Sequence, residues 1–86
     1  MKGVVDSMFI EVAEVISRIT KKDIATILPS STIKEMEIDS VTMLEIILNL
    51  EATYGVEFDA TNMAEYQTVE DFVIFIESTR ENGERM

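Results

Sequence analysis

The chain is 86 residues long, enough for one small domain with a limited core and little room for an enclosed active site. Cysteine, histidine and tryptophan are absent, which excludes a disulfide framework, a thiolate nucleophile, a histidine general base and a thiolate or imidazole metal site. With 47% hydrophobic residues it is too apolar for a disordered tail, and its net charge of −10 repels nucleic acid and anionic membrane. An enzyme is therefore not expected.

The first predicted helix runs from about Val4 to Ile19. Val5, Phe9, Val12, Ile16 and Ile19 recur at three- and four-residue spacing, with Met8 and Val15 alongside and Glu11, Glu14 and Arg18 on the other face. Thr20-Lys21-Lys22-Asp23 ends it, with lysines suited to a helix C-terminus. A long connection follows from Asp23 to Asp39, interrupted by Pro29-Ser30-Ser31. Ile24, Ile27, Leu28, Ile33 and Met36 are scattered along it and are expected to pack it down.

The second predicted helix starts at Ser40 or Val41 and reaches Tyr54, where Gly55 fits a left-handed C-cap. A short extended link, Val56-Glu57-Phe58, leads to a brief helix capped by Asp59 and ending at Tyr66. The last helix begins at Thr68, where Thr68-Val69-Glu70-Asp71 reads as a capping box. Val69, Phe72, Val73 and Ile76 are its apolar stripe, and it is expected to end before Asn82-Gly83. No strand, internal repeat, signal peptide or apolar run long enough to span a membrane is predicted. The fold class is all-α: a small four-helix bundle of three main helices and one short one, with a long loop between the first and second. Residues 1–86 form a single domain with an ordered core over about 4–80 and a frayed tail over 81–86.

On a helical wheel with Val41 at zero, Met43, Ile46, Ile47, Leu50 and Tyr54 fall between roughly 140° and 240°, the core side. Thr42, Glu45, Asn49 and Thr53 form a polar arc. A second apolar stripe of Val41, Leu44, Leu48 and Ala52, with Glu51 beside it, starts one residue after Ser40. It is either more core, touching a second neighbour, or an exposed patch with a charged rim of the kind that docks proteins. The charge pattern bears on this. From Glu35 to Thr79 there are eleven acids and no base, a field that steers basic surfaces toward it. Ser40 itself has an ordinary reading as a helix N-cap, and a helix N-terminus also tolerates a phosphodiester. No loop has the alternating acids and glycine of a calcium-binding hand, so no specific metal site is expected.

At Met36-Glu37-Ile38-Asp39-Ser40-Val41 the chain resembles the acyl carrier proteins, whose motif is usually Leu-Gly-x-Asp-Ser-Leu. The similarity covers nearly the whole chain in size, charge and helix order. It implies that Ser40 carries covalent 4′-phosphopantetheine, taken from coenzyme A by a phosphopantetheinyl transferase that Asp39 helps to recognise. It implies a stand-alone cytoplasmic carrier, a monomer, that presents acyl thioesters to loading, condensing or tailoring enzymes with basic docking surfaces. Fatty-acid, polyketide or related biosynthesis is the implied setting. Val41, Leu44, Leu48 and Met63 would contact those partners, with Glu45 and Glu51 pairing to their bases, and Phe58 and Tyr66 would line an acyl sub-pocket. A peptidyl, aminoacyl or D-alanyl carrier, and an unmodified interaction module on the same bundle, are the alternatives. Three departures stand out: Glu37 replaces the usual Gly and requires a turn open to a side chain, Val41 replaces Leu, and Ala52 and Ala64 stand where acids are common.

Overall fold

The computed structural model describes residues 2–58 and 66–84, with side chains placed for 7–58 and 66–79. Three helices carry it: α1 (Lys2–Thr20), α2 (Ser40–Tyr54) and α3 (Val69–Glu84). Among the described residues there is no strand, only an isolated antiparallel bridge between Thr32 and Thr68. The all-α expectation holds. The brief helix expected from Asp59 falls on residues 59–65, outside the described residues; Tyr66 is described and is not helical.

Each helix buries the stripe that its periodicity marks. Val12, Ala13, Val15 and Ile16 from α1, Met43, Ile46, Ile47 and Leu50 from α2, and Val69, Phe72, Val73 and Ile76 from α3 close one core. α1 lies against both of the others. Phe72, Ile16, Ile46, Leu50 and Ile76 are the largest fully buried side chains, and the burial of each contributes about 1.5–3 kcal/mol. Glu11, Glu14 and Arg18 lie on the exposed face of α1. Two polar contacts tie α1 to α2 across that face: Arg18 donates to Asn49, and the Tyr54 hydroxyl donates to the Glu11 carboxylate.

α1 stops at Thr20 because Lys21 turns left-handed, with φ 68°, and its N–H closes on the Ser17 carbonyl at 2.8 Å. The Ser17 hydroxyl then donates to the Lys22 carbonyl at 2.6 Å, fixing the exit. Residues 21–39 hold one 3₁₀ turn, Ile24–Thr26, capped by Asp23. Ile27 and Met36 pin this connection into the core, and Ile33 and Ile38 pack partly against it. Ile24 and Leu28 do not follow: they are 39% and 55% exposed. The packing-down expected of them is taken over by backbone hydrogen bonds to the start of α3. Glu70 N–H reaches the Pro29 carbonyl, Val69 N–H the Ser31 carbonyl, and Ile33 N–H the Gln67 carbonyl, at 2.9–3.1 Å.

The caps at the far end are as the sequence reads. Gly55 takes φ 67° and donates to the Glu51 carbonyl. At α3 the Thr68 hydroxyl accepts from Asp71 N–H, and the Asp71 carboxylate accepts from Thr68 N–H, a reciprocal box. One boundary is corrected: α3 does not end before Asn82-Gly83 but runs through them to Glu84. Glycine inside a helix costs only about 1 kcal/mol against alanine, so it weakens a final turn without breaking it.

No helix among the described residues is long and apolar enough to cross a membrane.

Candidate functional site

The start of α2 is built by Asp39. Its backbone is extended, with φ −83° and ψ 177°, its carboxylate accepts from Thr42 N–H at 2.8 Å, and its carbonyl accepts from Met43 N–H at 2.8 Å. Asp39 is therefore the N-cap, and the reading of Ser40 as the cap is corrected by one residue. Both side chains cap well; the aspartate, one place earlier, reaches the free N–H groups of the first turn first. The Thr42 N–H holds the Asp39 carboxyl below its ordinary value of 3.8, helped by the Thr42 side chain.

This division of labour frees Ser40. It is the first residue of the helix, its side chain is exposed, and among the described residues its hydroxyl takes no protein hydrogen bond. Esterification of that oxygen breaks nothing in the fold. A phosphate placed on that oxygen would sit at the positive end of a helix of 15 residues.

Upstream, Glu37 has φ 55°, the left-handed region where glycine is at ease and an L-side chain costs roughly 1–2 kcal/mol. The turn is not one that opens to suit a side chain, as Glu37 led us to expect; the glutamate adopts the glycine-like conformation. Neighbouring bonds hold it there. Glu37 N–H donates to the Lys34 carbonyl, Ile38 N–H to the Ile33 carbonyl, and Thr32 and Glu35 cap each other reciprocally.

Below Ser40, the second stripe of α2 faces solvent. Val41 is 73% exposed and Leu44 and Leu48 are 55% exposed, while Glu45 and Ala52 are exposed beside them. The two readings of this stripe are thereby separated: it is surface, not core. Glu51 is half-buried, and one carboxylate oxygen turns back to accept Phe58 N–H at 2.8 Å. This bond spans Gly55 and fixes the link that leaves α2; no periodic signal in the sequence announces it. Met63 lies outside the described residues.

Phe58 and Tyr66 are 8% and 7% exposed and pack with Phe72 and Phe75 into a four-ring cluster. Ring centroids lie 4.6–5.8 Å apart, edge-on, tilted or stacked, the distances of direct aromatic contact. Among the described residues no group of three or more aspartates and glutamates is placed to hold a metal ion.

Comparison with known proteins meets the same residues. The family model for a phosphopantetheine attachment site matches residues 11–76. The chain is 34% identical over 73 residues to the meromycolate extension acyl carrier protein of Mycobacterium tuberculosis strain H37Rv, covering 84% of this chain and 64% of that one. It is 30% identical over 69 residues to the acyl carrier protein of Micrococcus luteus, covering 79% and 85%. To the acyl carrier protein of Myxococcus xanthus it is 32% identical over 65 residues, covering 74% and 82%. The chain thus spans just under two thirds of the mycobacterial relatives and most of the other two. It belongs to the acyl carrier protein family, whose members are carriers rather than catalysts and bear 4′-phosphopantetheine covalently.

Proposed function

We propose that this chain carries acyl intermediates on 4′-phosphopantetheine attached to Ser40. The observation that carries the reading is the exposed, unengaged Ser40 hydroxyl at the head of α2, directly after a cap that holds the helix without it. The Ser40 oxygen attacks the pyrophosphate of coenzyme A; the new phosphorus–oxygen bond forms as the bond to the adenine-nucleotide half breaks, and the serine proton leaves to a base. In this reading the phosphopantetheinyl transferase supplies the base that takes that proton. When bound, the group supplies a terminal thiol that takes its cargo as a thioester.

Acyl cargo is favoured over peptidyl, aminoacyl or D-alanyl cargo by the acidity of the chain and by the acyl carriers among its relatives. Docking falls to the exposed stripe of Val41, Leu44 and Leu48, with Glu45 and the outer oxygen of Glu51 meeting arginine and lysine on loading, condensing or tailoring enzymes. Leu48→Asp tests that role. The side chain is 55% exposed, so stability should change by no more than about 0.5 kcal/mol while transfer to and from partner enzymes falls.

Intact mass after incubation with coenzyme A and a broad-specificity phosphopantetheinyl transferase tests the attachment. The native chain should gain one phosphopantetheine and Ser40→Ala none. No adduct with several transferases would leave an interaction module on a carrier fold, with Glu37 and Val41 the first residues to revert.

A further inference from the structure

A cleft of about 210 Å³ lies between the end of α1 and the turn that leads into α2. Ile19, Met36 and Ile38 give it an apolar part, and Thr20, Lys22, Glu37 and Thr42 a larger polar one. The threonine hydroxyls are already engaged. Thr20 donates to the Ile16 carbonyl at 2.7 Å and accepts Lys22 N–H at 3.2 Å, and the Thr42 side chain bonds to the Asp39 carboxyl. The Glu37 carboxylate and the Lys22 ammonium are left over. Among the described residues neither takes a hydrogen bond or an ion pair, although both line the same cleft.

Glu37 holds φ 55°, where an L-side chain is strained, and its side chain is exposed. Its carboxylate supports nothing among the described residues, so the strain is not repaid by a contact of that group within the fold. Residues held in such conformations cluster at functional sites. Glu37 lies three residues before Ser40, and three residues span at most about 11 Å. An enzyme that reaches the Ser40 oxygen therefore also reaches Glu37.

We infer that Glu37 is a docking contact for the phosphopantetheinyl transferase: a basic side chain of that enzyme pairs with its carboxylate and lays its methylenes along Ile19, Met36 and Ile38. The inference rests on Ser40 as the attachment residue. Charge and shape both select such a side chain. The chain has no base from Glu35 to Thr79, so the acids around Ser40 are complementary to positive charge. The transferase brings the anionic pyrophosphate of coenzyme A to the same oxygen, and basic groups are what hold a phosphate. Lysine and arginine carry a charged head on an apolar stem, which suits an apolar floor beside one free carboxylate. Lys22 opposes the pairing, because its ammonium repels an incoming cation. The glycine usual in the motif presents no side chain, so this contact belongs to this chain and not to the motif.

The experiment follows transfer of phosphopantetheine from coenzyme A to the full chain by intact mass, with a broad-specificity transferase and the carrier concentration varied. Glu37→Gln keeps the shape of the side chain and loses its charge. It should raise KM for the carrier about two- to fivefold with kcat unchanged. Glu37→Asp should keep most of the native value. Glu37→Gly should lose as much as glutamine although it relaxes the turn, and thermal unfolding of each variant checks that its fold is intact. Lys22→Gln should lower KM. In 1 M salt, where the screening length is about 3 Å, the native chain and Glu37→Gln should converge. Glu77→Gln, at an exposed position of α3, controls for the loss of one charge from the whole chain and should leave KM unchanged. A glutamine variant at position 37 that is modified as well as the native chain, or better, overturns the contact and leaves the attachment standing. One that loses no more than Glu77→Gln does the same. A native chain that gains no mass overturns the attachment, and the contact with it.

Discussion

Glu51 has one observed contact and one proposed docking role, and a pair of substitutions separates them. Its inner oxygen accepts Phe58 N–H at 2.8 Å, and Phe58 is 8% exposed, so water cannot readily replace the bond. A hydrogen bond to a charged acceptor contributes about 1.5–3 kcal/mol. Because Glu51 is only half-buried, solvent screening lowers this, and Glu51→Ala should cost about 1–2 kcal/mol. In a domain of this size that is a fall in Tm of roughly 5–12 °C. Glu51→Gln keeps an acceptor oxygen at the same reach and should recover most of the loss. The charge is gone in both, so both should dock more weakly on a basic partner enzyme. Thermal unfolding by circular dichroism gives the first readout and transfer kinetics the second; exchange of the Phe58 amide proton should quicken in the alanine variant. If glutamine destabilises as much as alanine, or alanine leaves Tm unmoved, the bond to Phe58 is not what fixes the link after α2.

Other expectations follow from the same geometry. The folded Asp39 carboxyl lies below its ordinary 3.8 because it accepts from Thr42, so its contribution is fully present above 3.8 and is lost as pH falls through the lower folded value. Asn caps equally well and does not titrate. The Tm difference between native protein and Asp39→Asn should therefore shrink as acid is added below pH 3.8, and a constant difference would refute the linkage. Glu37→Gly should raise Tm by relieving the left-handed side chain, a net gain of up to about 1 kcal/mol after the extra freedom of glycine in the unfolded chain, whereas Glu37→Ala should gain nothing. Salt should also raise Tm. The radius of gyration is 12.4 Å, and at 0.01 M salt the screening length is about 30 Å, so the acids repel across the whole molecule. Near physiological salt it is about 8 Å, and an unchanged Tm between these conditions would show that self-repulsion is no significant cost.

Much of this was legible in the sequence where the signal was local or periodic. The burial of Met43, Ile46, Ile47 and Leu50 followed from a 3.6-residue repeat, and the left-handed Gly55 and the Thr68–Asp71 box from residue types whose conformational preference is strong. The Asp39–Ser40 choice was harder, since both residues cap and helix starts blur by a residue or two. Asn82-Gly83 misled because a local breaker signal is weak against a helix already propagating. The exposure of Val41, Leu44 and Leu48 was one of two readings the sequence allowed, and the pattern alone did not choose between them. An apolar stripe reports what a residue is, and only the placement of α1 and α3 decides whether anything covers it.

Contacts that join distant residues lay beyond the sequence for a different reason. Glu51 and Phe58 meet only because Gly55 reverses the chain between them, and the Pro29, Ser31 and Gln67 carbonyls find donors only because the long connection is laid along the start of α3. The two left-handed side chains, Lys21 and Glu37, mark the ends of that connection. Each costs local free energy, and each closes a turn: Lys21 N–H donates to the Ser17 carbonyl and Glu37 N–H to the Lys34 carbonyl. The arrangement beside Ser40 is thus set by backbone turns that neither residue type favours. The glycine usual in the motif would make the second turn easier, but it would take away an acid three residues before Ser40. Glu37 therefore ties the strain of the turn to the charge near Ser40, the proposed attachment residue, so a substitution that relieves one alters the other.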